Sequence, residues 1–338
     1  MNESFVQLIE TGYKVRPATY ADLPQMVAMV NAAEIEQIGA GDWTVERYRE
    51  EWRQTGIDLA ASTRLVVAPD ESIVGCVEVW DHYDPPVRTW IWGRVHPQWE
   101  GLGIGSALLA WALATSMRAI DRLPEGTRLA AHVAGPSAHQ PSIELFESMG
   151  MSVCRYSWRM IIDLAAPVPE PQWPAGFLIR TLRYPEDLEM VYRAQDESFR
   201  EHWGYVERPF EEAFELWKRY SFAAMELKPE LWFLALEGDR IAGLINSQER
   251  SPDDSRIGWI PTLAVRQAYR RRGLGRALLL HAFRALQQRG VPAVGLGVDA
   301  TNKTGATRLY QDVGMRVQHE IVHYELELRP GRELAVVD

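Results

Sequence analysis

The sequence predicts two successive copies of one α/β unit, because segments of its first half recur in its second half. Four segments recur in the same order, at an offset of 164 to 170 residues. Four matches in one order are hard to explain by chance, and a repeat decides the fold class. The matched segments are 13–23 with 177–188, 73–78 with 241–246, 95–109 with 265–279, and 145–151 with 309–315.

The order of elements is the same in both copies. A strand is followed by two charge-rich helices, two or three strands, a glycine turn with its helix, a strand, a helix and a final strand. Gly238 and Asp239 predict a hairpin turn, and Gly314 predicts the C-cap of the last helix. Representative segments are the helices at 44–54, 209–220 and 304–313 and the strands at 65–68, 232–236, 293–298 and 317–328.

A proline-rich segment lies between the two copies. Residues 166–176 contain four prolines, which predicts a stiff, extended linker. We therefore place the first domain at residues 1–165 and the second at residues 177–330. The total of 338 residues is long for one domain and natural for two.

Composition and charge exclude several classes of protein. A formal net charge of -10 and a pI near 5.4 leave no basic face for nucleic acid. Two cysteines, Cys76 and Cys154, are too few for a disulfide framework and fit a reducing compartment. The N-terminal segment lacks the pattern of a signal peptide, and the longest apolar run, residues 107–114, is far shorter than a membrane span. We expect a soluble cytoplasmic protein without a membrane partner.

A cationic glycine turn in the second half is the strongest chemical signal. The predicted strand Leu263-Ala264-Val265 leads into Arg270, Gly273 and Gly275, in the order Arg-x-x-Gly-x-Gly, and a helix follows. Backbone N–H groups at a helix start, with the helix dipole behind them, form a cradle for phosphate. Five arginines between positions 266 and 276 add positive charge to an acidic chain. The turn therefore predicts a site for a polyanionic ligand, with a solvated turn as the alternative.

Other signatures fit poorly. A P-loop pattern does not occur, and a Rossmann fingerprint would need a third glycine where Leu278 stands. The zincin pattern His-Glu-x-x-His occurs at residues 319–323, but the surrounding alternation predicts a strand. Four strand residues span about 13 Å, too far for both imidazoles to reach one zinc at about 2 Å. The sequence therefore predicts no metal site.

The second half resembles the GNAT superfamily of acetyl-CoA-dependent N-acetyltransferases. The resemblance rests on the strand and glycine turn together with Asn302, Ala306, Leu309-Tyr310 and Gly314-Met315, in that order. Two such units in tandem are similar to the subgroup that includes mycothiol synthase. The resemblance implies mixed, mostly antiparallel sheets flanked by helices, with acetyl-CoA between two splayed central strands.

The resemblance also implies roles for individual residues. The backbone of Leu263 and Val265 would pair with the pantetheine arm, and the amide of Ala264 or a neighbour would polarise the thioester carbonyl. Tyr310 would protonate the leaving thiolate; as an alternative, it is an aromatic residue on the apolar face of a helix. The remaining cofactor-binding positions are Arg270, Arg271, Arg272, Gly273, Leu274, Gly275, Arg276 and Asn302.

Both halves depart from the family pattern. In the first half Glu100 replaces Arg270 and Phe146 replaces Tyr310, so we expect that half to be catalytically silent. In the second half Trp259 stands where the subgroup has an acidic base. The candidates for the base are Glu201, His202 and Glu249, each of which also fits a solvated surface residue.

Two functions remain at this point. The first is an enzyme, monomeric or homodimeric, that transfers acetyl from acetyl-CoA to a primary amine of a small molecule. The second is a non-catalytic protein that binds or senses acyl-CoA. The presence of Tyr310 favours the enzyme, and the lack of an acidic residue at position 259 favours the binding protein.

Overall fold

The structure is a computed structural model that describes residues 5–82, 84–222, 227–251, 254–302 and 304–337. Packing divides the chain into two compact units, each assembled from two segments of the sequence. The first unit comprises Met1–Tyr156 and Glu320–Leu334, and the second comprises Ser157–His319 and Ala335–Asp338.

The first unit is a mixed sheet with helices packed on it. Its strand order is β1-β2-β3-β4-β5-β12, and all neighbours are antiparallel except β4 and β5. Its elements are α1 (Val6–Glu10), β1 (Lys14–Arg16), α2 (Leu23–Ile38), α3 (Val45–Thr55), α4 (Leu59–Ser62), β2 (Thr63–Val67), β3 (Ile73–Trp80), β4 (Arg88–Val95), α5 (Ile104–Ser116), β5 (Leu129–Pro136) and α6 (Gln140–Ser148), with the larger part of β12 (Arg316–Arg329).

The second unit repeats this plan. Its strand order is β6-β11-β10-β9-β8-β7, and only β10 and β11 are parallel. The predicted mixed, mostly antiparallel sheets are confirmed in both units. Besides the larger part of β6 (Ser152–Asp163), the elements are β7 (Leu178–Thr181), α7 (Leu188–Phe199), α8 (Phe210–Leu216), β8 (Trp232–Glu237), β9 (Arg240–Gln248), β10 (Gly258–Val265), α9 (Leu274–Gln288), β11 (Ala293–Asp299) and α10 (Ala306–Asp312).

The last strand of each repeat belongs to the other unit. From Ile321 onward β12 pairs with β5 of the first unit, and residues Ser157–Asp163 of β6 pair with β11 of the second. The prediction of a strand at 317–328 is confirmed, but the expectation that it completes its own copy is wrong. Because the two copies end in equivalent strands, the alternating pattern of each strand fits either neighbour.

The predicted linker packs against the second unit. Residues 166–176 form neither helix nor strand, and Val168 is buried in the core below α9. The side chain of Gln287 on α9 donates to the carbonyl oxygens of Leu164 and Ala166. The division into residues 1–165 and 177–330 stays a prediction about the repeat along the chain.

Helix α9 shows how the sequence builds the core of the second unit. Its apolar residues recur at helical spacing, and Leu278, Leu279, Phe283 and Leu286 have no exposed side-chain surface. Burying such side chains stabilises the fold by about 1.5–3 kcal/mol each. The predicted helix at 209–220 is interrupted, because α8 ends at Leu216 and a π-helical turn follows.

A buried carboxyl group lies inside the first unit. Glu78 on β3 is 2 % exposed, and its Oε1 accepts hydrogen bonds from Tyr48 Oη at 2.9 Å and Trp52 Nε1 at 3.0 Å. Burial, and after it the charge of Glu51, raises the pKa of Glu78 to about 8. The folded state therefore favours the protonated form at neutral pH.

We expect Glu78→Gln to weaken the pH dependence of stability. The folded pKa of about 8 lies above the unfolded value near 4.5. Stabilisation is therefore complete below pH 4.5 and is lost as the pH rises through 8. Between pH 5 and pH 9 the glutamine variant should gain up to about 5 kcal/mol relative to the wild type, since one pKa unit is about 1.4 kcal/mol. Thermal unfolding from pH 5 to 9 measures this, with the exposed Glu46→Gln as control. Parallel curves for wild type and Glu78→Gln would contradict the prediction.

Candidate functional site

Strands β10 and β11 of the second unit pair only where they begin. Their registered pairs are Gly258 with Val294 and Trp259 with Gly295. Beyond this point residues 262–265 of β10 pair with β9. The expected separation of two central strands is therefore present, and one edge of β10 faces the gap.

A bulge interrupts β10 just before this edge. Three steps along β10, from Trp259 to Thr262, correspond to two steps along β9. Pro261 lies within the bulge and has no N–H to give to the ladder. The buried side chain of Asn246 accepts the N–H of Thr262 at 2.8 Å. The sequence did not indicate this role of Asn246, although the proline within a strand marks an irregularity.

The bulge fixes the direction of the amides that follow it. The N–H groups of Thr262 and Arg266 both point to acceptors on β9. Because backbone directions alternate along a strand, the amide of Ala264 also points to β9. The amides of Leu263 and Val265 therefore point into the gap. The thioester carbonyl was expected to meet the amide of Ala264 or a neighbour, and this geometry favours the neighbours Leu263 and Val265 over Ala264.

The glycine turn leads directly into α9. Gly273 is the N-cap with φ of 83°, and Arg271 also has a positive φ of 61°. A Cβ on Gly275 would lie 3.2 Å from Leu309 Cδ2 and 3.7 Å from Val265 Cγ2. The first N–H groups of a helix have no partner within it. The residue at position 275 therefore has to be small. Only then can β10 and α10 pack closely around the bare amides of the turn.

The arginines of the turn divide into two groups. The guanidinium group of Arg270 donates to Val265 O at 3.1 Å, to Ser198 O at 3.0 Å and to Glu201 Oε2 at 2.9 Å. Its side chain thus joins the end of β10 to α7 instead of pointing away from the protein. Arg271, Arg272 and Arg276 are exposed around the start of α9. These three side chains supply the positive potential at the turn.

Tyr310 and Asn302 lie on either side of the start of α10. The side chain of Tyr310 is 8 % exposed, and burial raises the pKa of its phenol to about 12. Asn302 precedes the helix, and its Oδ1 accepts from the N–H of Thr304 at 2.8 Å. Because Leu309 on the same helix would touch a Cβ at position 275, α10 lies against the glycine turn.

The three candidate bases have different surroundings. Glu201 is 56 % exposed and accepts from Arg270 and Gln267. The ring of His202 contacts that of Phe199 edge-on, with centroids 4.5 Å apart. Glu249 pairs with Lys228 and, at 3.2 Å, with Arg289, and the hydrogen bond from Lys228 lowers its pKa.

No pattern in the sequence indicated Arg159, which faces Trp259. The guanidinium group lies 4.9 Å from the indole centroid and donates to Gln318 Oε1 and Ser251 Oγ at 3.1 Å each. The same indole covers Gly295 of β11. Arg159 comes from β6, so only the pairing of β6 with β11 brings it to this face, and no local pattern could have found it.

The first unit contains a cleft at the corresponding place. It has a volume of about 530 Å³ and lies between β4, β5, α6 and the start of α5. A Cβ on Gly105 there would lie 3.1 Å from Leu145 Cδ2, much as a Cβ on Gly275 would lie 3.2 Å from Leu309 Cδ2. The cleft is lined by Glu100, which faces His139 at 3.6 Å, and by Phe146. The volume of this cleft alone does not define an active site. The exposed arginine cluster of the glycine turn and the phenol of Tyr310 are in the second unit.

Comparisons with known proteins identify the family of this chain. The model of the acetyltransferase (GNAT) family matches residues 29–151 and 188–315. The mycothiol acetyltransferase of Thermobispora bispora is 32% identical over 235 residues, which are 68% of this chain and 72% of that protein. That of Nocardia farcinica is 29% identical over 272 residues, covering 78% and 82%.

Solved structures share the fold over nearly the whole chain. A GCN5-related N-acetyltransferase from Sphaerobacter thermophilus superposes with a TM-score of 0.79 and 31% identity, covering 95% of this chain and 98% of that one. A tandem GNAT protein from the clavulanic acid biosynthesis pathway superposes with a TM-score of 0.70 and 17% identity, covering 95% and 100%.

The chain belongs to the GNAT family of acetyltransferases, and its two family segments make it a tandem member. It is an N-acetyltransferase, and the enzymes of this family use acetyl-CoA as co-substrate. The resemblance inferred from the sequence is thereby confirmed. In the part of the chain that the structure describes, each helix is too short or too polar to cross a bilayer.

Proposed function

We propose that the second unit transfers acetyl from acetyl-CoA to a primary amine of a small molecule. The observation that carries this assignment is the difference between the two units at equivalent positions. The second unit has an exposed arginine cluster at the start of α9 and the phenol of Tyr310. The first unit has Glu100 and Phe146 there, so it offers neither charge for the pyrophosphate nor a proton for the thiolate.

The free edge of β10 accounts for how the co-substrate is held. At Leu263 and Val265, β10 is no longer paired with β11, so the gap-facing amides there can donate to another group. The pantetheine arm contains amide groups and suits these donors. The bare amides from Arg271 to Arg276 at the start of α9 suit a pyrophosphate, because the helix dipole adds to the nearby positive charge. Asn302 borders the same region.

The chemical step then needs an oxyanion donor and an acid. When the amine attacks the thioester carbonyl, the oxygen becomes negative, and we assign the gap-facing amide of Leu263 as the donor that binds it. The C–S bond breaks next, and the phenol of Tyr310 donates its proton to the sulfur. A pKa of about 12 keeps that phenol protonated at neutral pH. The burial that raises the pKa of the phenol would also raise the pKa of the leaving thiol, so proton transfer from the phenol to the sulfur stays favourable.

We assign His202 as the base that removes the amine proton. Imidazole is the side chain that most often serves as a general base in enzymes. The carboxylate of Glu201 is engaged by Arg270, and that of Glu249 by Lys228 and Arg289. We therefore assign Glu201 a positioning role: it holds the side chain of Arg270 against the end of β10.

The assignment is tested with acetyl-CoA and a panel of small primary amines. We expect release of one free thiol per acetylated amine, measured with a thiol reagent and by mass spectrometry of the product. Binding of acetyl-CoA without acetylation of any amine would support the alternative, a protein that binds or senses acyl-CoA. Tertiary amines of similar size serve as controls, since they have no proton to lose and should give no product.

The same assay distinguishes between His202 and Glu201 as the base. With the best amine, His202→Gln should lower kcat by about 10² or more, whereas Glu201→Gln should leave kcat within a few-fold. The reverse order would make Glu201 the base. The pH profile adds a second readout, because an acidic limb that reflects protonation of the base should disappear with His202→Gln only.

A further inference from the structure

Three side chains with metal-binding chemistry converge in the first unit, away from its cleft. His132 lies on β5, Cys154 on β6 and Glu325 on β12. The Sγ of Cys154 is 3.9 Å from Nδ1 of His132, and Oε2 of Glu325 is 3.5 Å from Nε2. One ligand atom from each residue can be chosen so that all three lie within 4.8 Å of one another.

Pairing of the strands creates this cluster. Glu325 is the direct cross-strand partner of His132 in the antiparallel ladder of β5 and β12. Directly opposite side chains on one face of such a pair are within contact range. The three residues are far apart in sequence and show no ligand spacing, so the sequence could not indicate them. The expectation of no metal site rested on the motif at residues 319–323 and on the lack of ligand spacing among the other histidines.

We propose that His132, Cys154 and Glu325 form a binding site for a divalent ion of the zinc class. Imidazole nitrogen, thiolate sulfur and carboxylate oxygen are the three ligand types that zinc takes in proteins. Tetrahedral ligand atoms lie about 3.3–3.6 Å apart, given Zn–N of about 2.0–2.1 Å and Zn–S of about 2.3 Å. One imidazole nitrogen would bind the ion, and ligand atoms that now lie within 4.8 Å of one another would have to close by up to about 1.2–1.5 Å through side-chain rotation.

The surroundings of the cluster resemble the outer shell of a metal site. Arg128 donates to Oε1 of Glu325 at 2.8 Å, which leaves Oε2 directed at His132. Hydrogen bonds to a ligating carboxylate orient it in this way. The indole of Trp90 covers the imidazole, with centroids 5.2 Å apart, and His132 itself has no exposed surface. All three ligands are thus held on strands, and the imidazole is shielded from water.

Nearby positive charge decides which ions suit the site. The guanidinium groups of Arg88 and Arg128 act on these side chains, and they oppose any cation held by charge alone. Hard ions such as Mg²⁺ and Ca²⁺ prefer oxygen ligands and gain little here. An ion that forms strong bonds to sulfur and nitrogen offsets the repulsion. On binding, the ion replaces the proton of the Cys154 thiol, which now faces the carbonyl of His323, and that proton passes to the buffer.

Such an ion would fasten the C-terminal strand to the first unit. Two of its ligands would come from β5 and β6 and the third from β12, which ends the second repeat. A ligand that binds only the folded state stabilises it by mass action. We therefore expect a structural role, independent of acetyl transfer in the second unit.

Titration of the full-length chain with Co²⁺ and Zn²⁺ tests the proposal. Co²⁺ should give a thiolate-to-metal charge-transfer band at one ion per chain, and Zn²⁺ should displace it. At a free Zn²⁺ concentration 100-fold above its dissociation constant, Tm should rise by about 5–10 °C. Mg²⁺ and Ca²⁺ at the same concentration should leave Tm unchanged.

Matched variants identify the ligands. Cys154→Ser should abolish the band and the Tm shift, whereas Cys76→Ser, which removes the other free thiol, should retain both. Glu325→Gln preserves the shape of this side chain and leaves the Cys154 thiol in place, and it should weaken Zn²⁺ binding at least tenfold. Absence of a charge-transfer band in the wild type, or a band that survives in Cys154→Ser, would overturn the proposal. Circular dichroism of each variant shows whether it is folded, so loss of the ion is not confused with loss of the fold.

Discussion

Gly275→Glu is expected to weaken acetyl-CoA binding by at least about 100-fold, or about 2.7 kcal/mol. The new carboxylate would stand among the bare amides at the start of α9, where we place the pyrophosphate. Like charges brought together in a binding site cost several kcal/mol. The side chain would also crowd Leu309 and Val265, which already lie within 3.7 Å of the Cβ position. Isothermal titration calorimetry with acetyl-CoA measures the effect.

The first unit provides a control with the same steric cost. A Cβ on Gly105 would lie 3.1 Å from Leu145 Cδ2, against 3.2 Å from Leu309 Cδ2 for Gly275. Gly105→Glu should therefore disturb the fold as much as Gly275→Glu, while it leaves turnover and the main binding event unchanged. If Gly105→Glu abolishes that event and Gly275→Glu does not, the open cleft of the first unit is the active one and our assignment of the halves is wrong.

The glycine turn and its flanking elements could be predicted from the sequence because local chemistry determines them. Gly273 takes a left-handed conformation that other residues rarely adopt, and the apolar spacing after it requires a helix. The strand ending at Val265 and the helix that carries Tyr310 follow from equally local patterns. The family resemblance then supplied the expectation that two neighbouring strands separate, which is the arrangement of β10 and β11.

The remaining features depend on long-range pairing, which local patterns do not encode. The alternation along β12 predicts a strand but does not identify the neighbouring strand. The partner is therefore selected by packing in the whole fold. That selection brings Glu325 to His132, and the equivalent choice for β6 brings Arg159 to Trp259. The contacts of Arg270 also depend on long-range packing. The motif predicted that Arg270 binds the co-substrate, and in the structure its guanidinium group donates to Val265, Ser198 and Glu201.

Tyr310→Phe is expected to lower kcat by about 10² to 10⁴, the usual contribution of a positioned proton donor. The substitution removes one hydroxyl group and almost no volume, and it copies the residue found at Phe146 in the first unit. Folding and the affinity for acetyl-CoA should therefore hardly change. A structural hydroxyl would instead contribute about 0.5–1.5 kcal/mol to stability and nothing to turnover. Steady-state kinetics and thermal unfolding of one variant therefore separate the two roles.

The leaving group gives this prediction an internal control. An activated acetyl thioester whose thiol is much more acidic than that of coenzyme A needs no proton at the sulfur, so Tyr310→Phe should turn it over at close to the wild-type rate. A truncated pantetheine thioester with an ordinary thiol should show the full loss, because it has the same demand for an acid. Equal losses with both substrates would mean that the hydroxyl orients the thioester without donating a proton. Undiminished turnover of acetyl-CoA itself would remove Tyr310 from the reaction. Protonation of the thiolate would then fall to solvent.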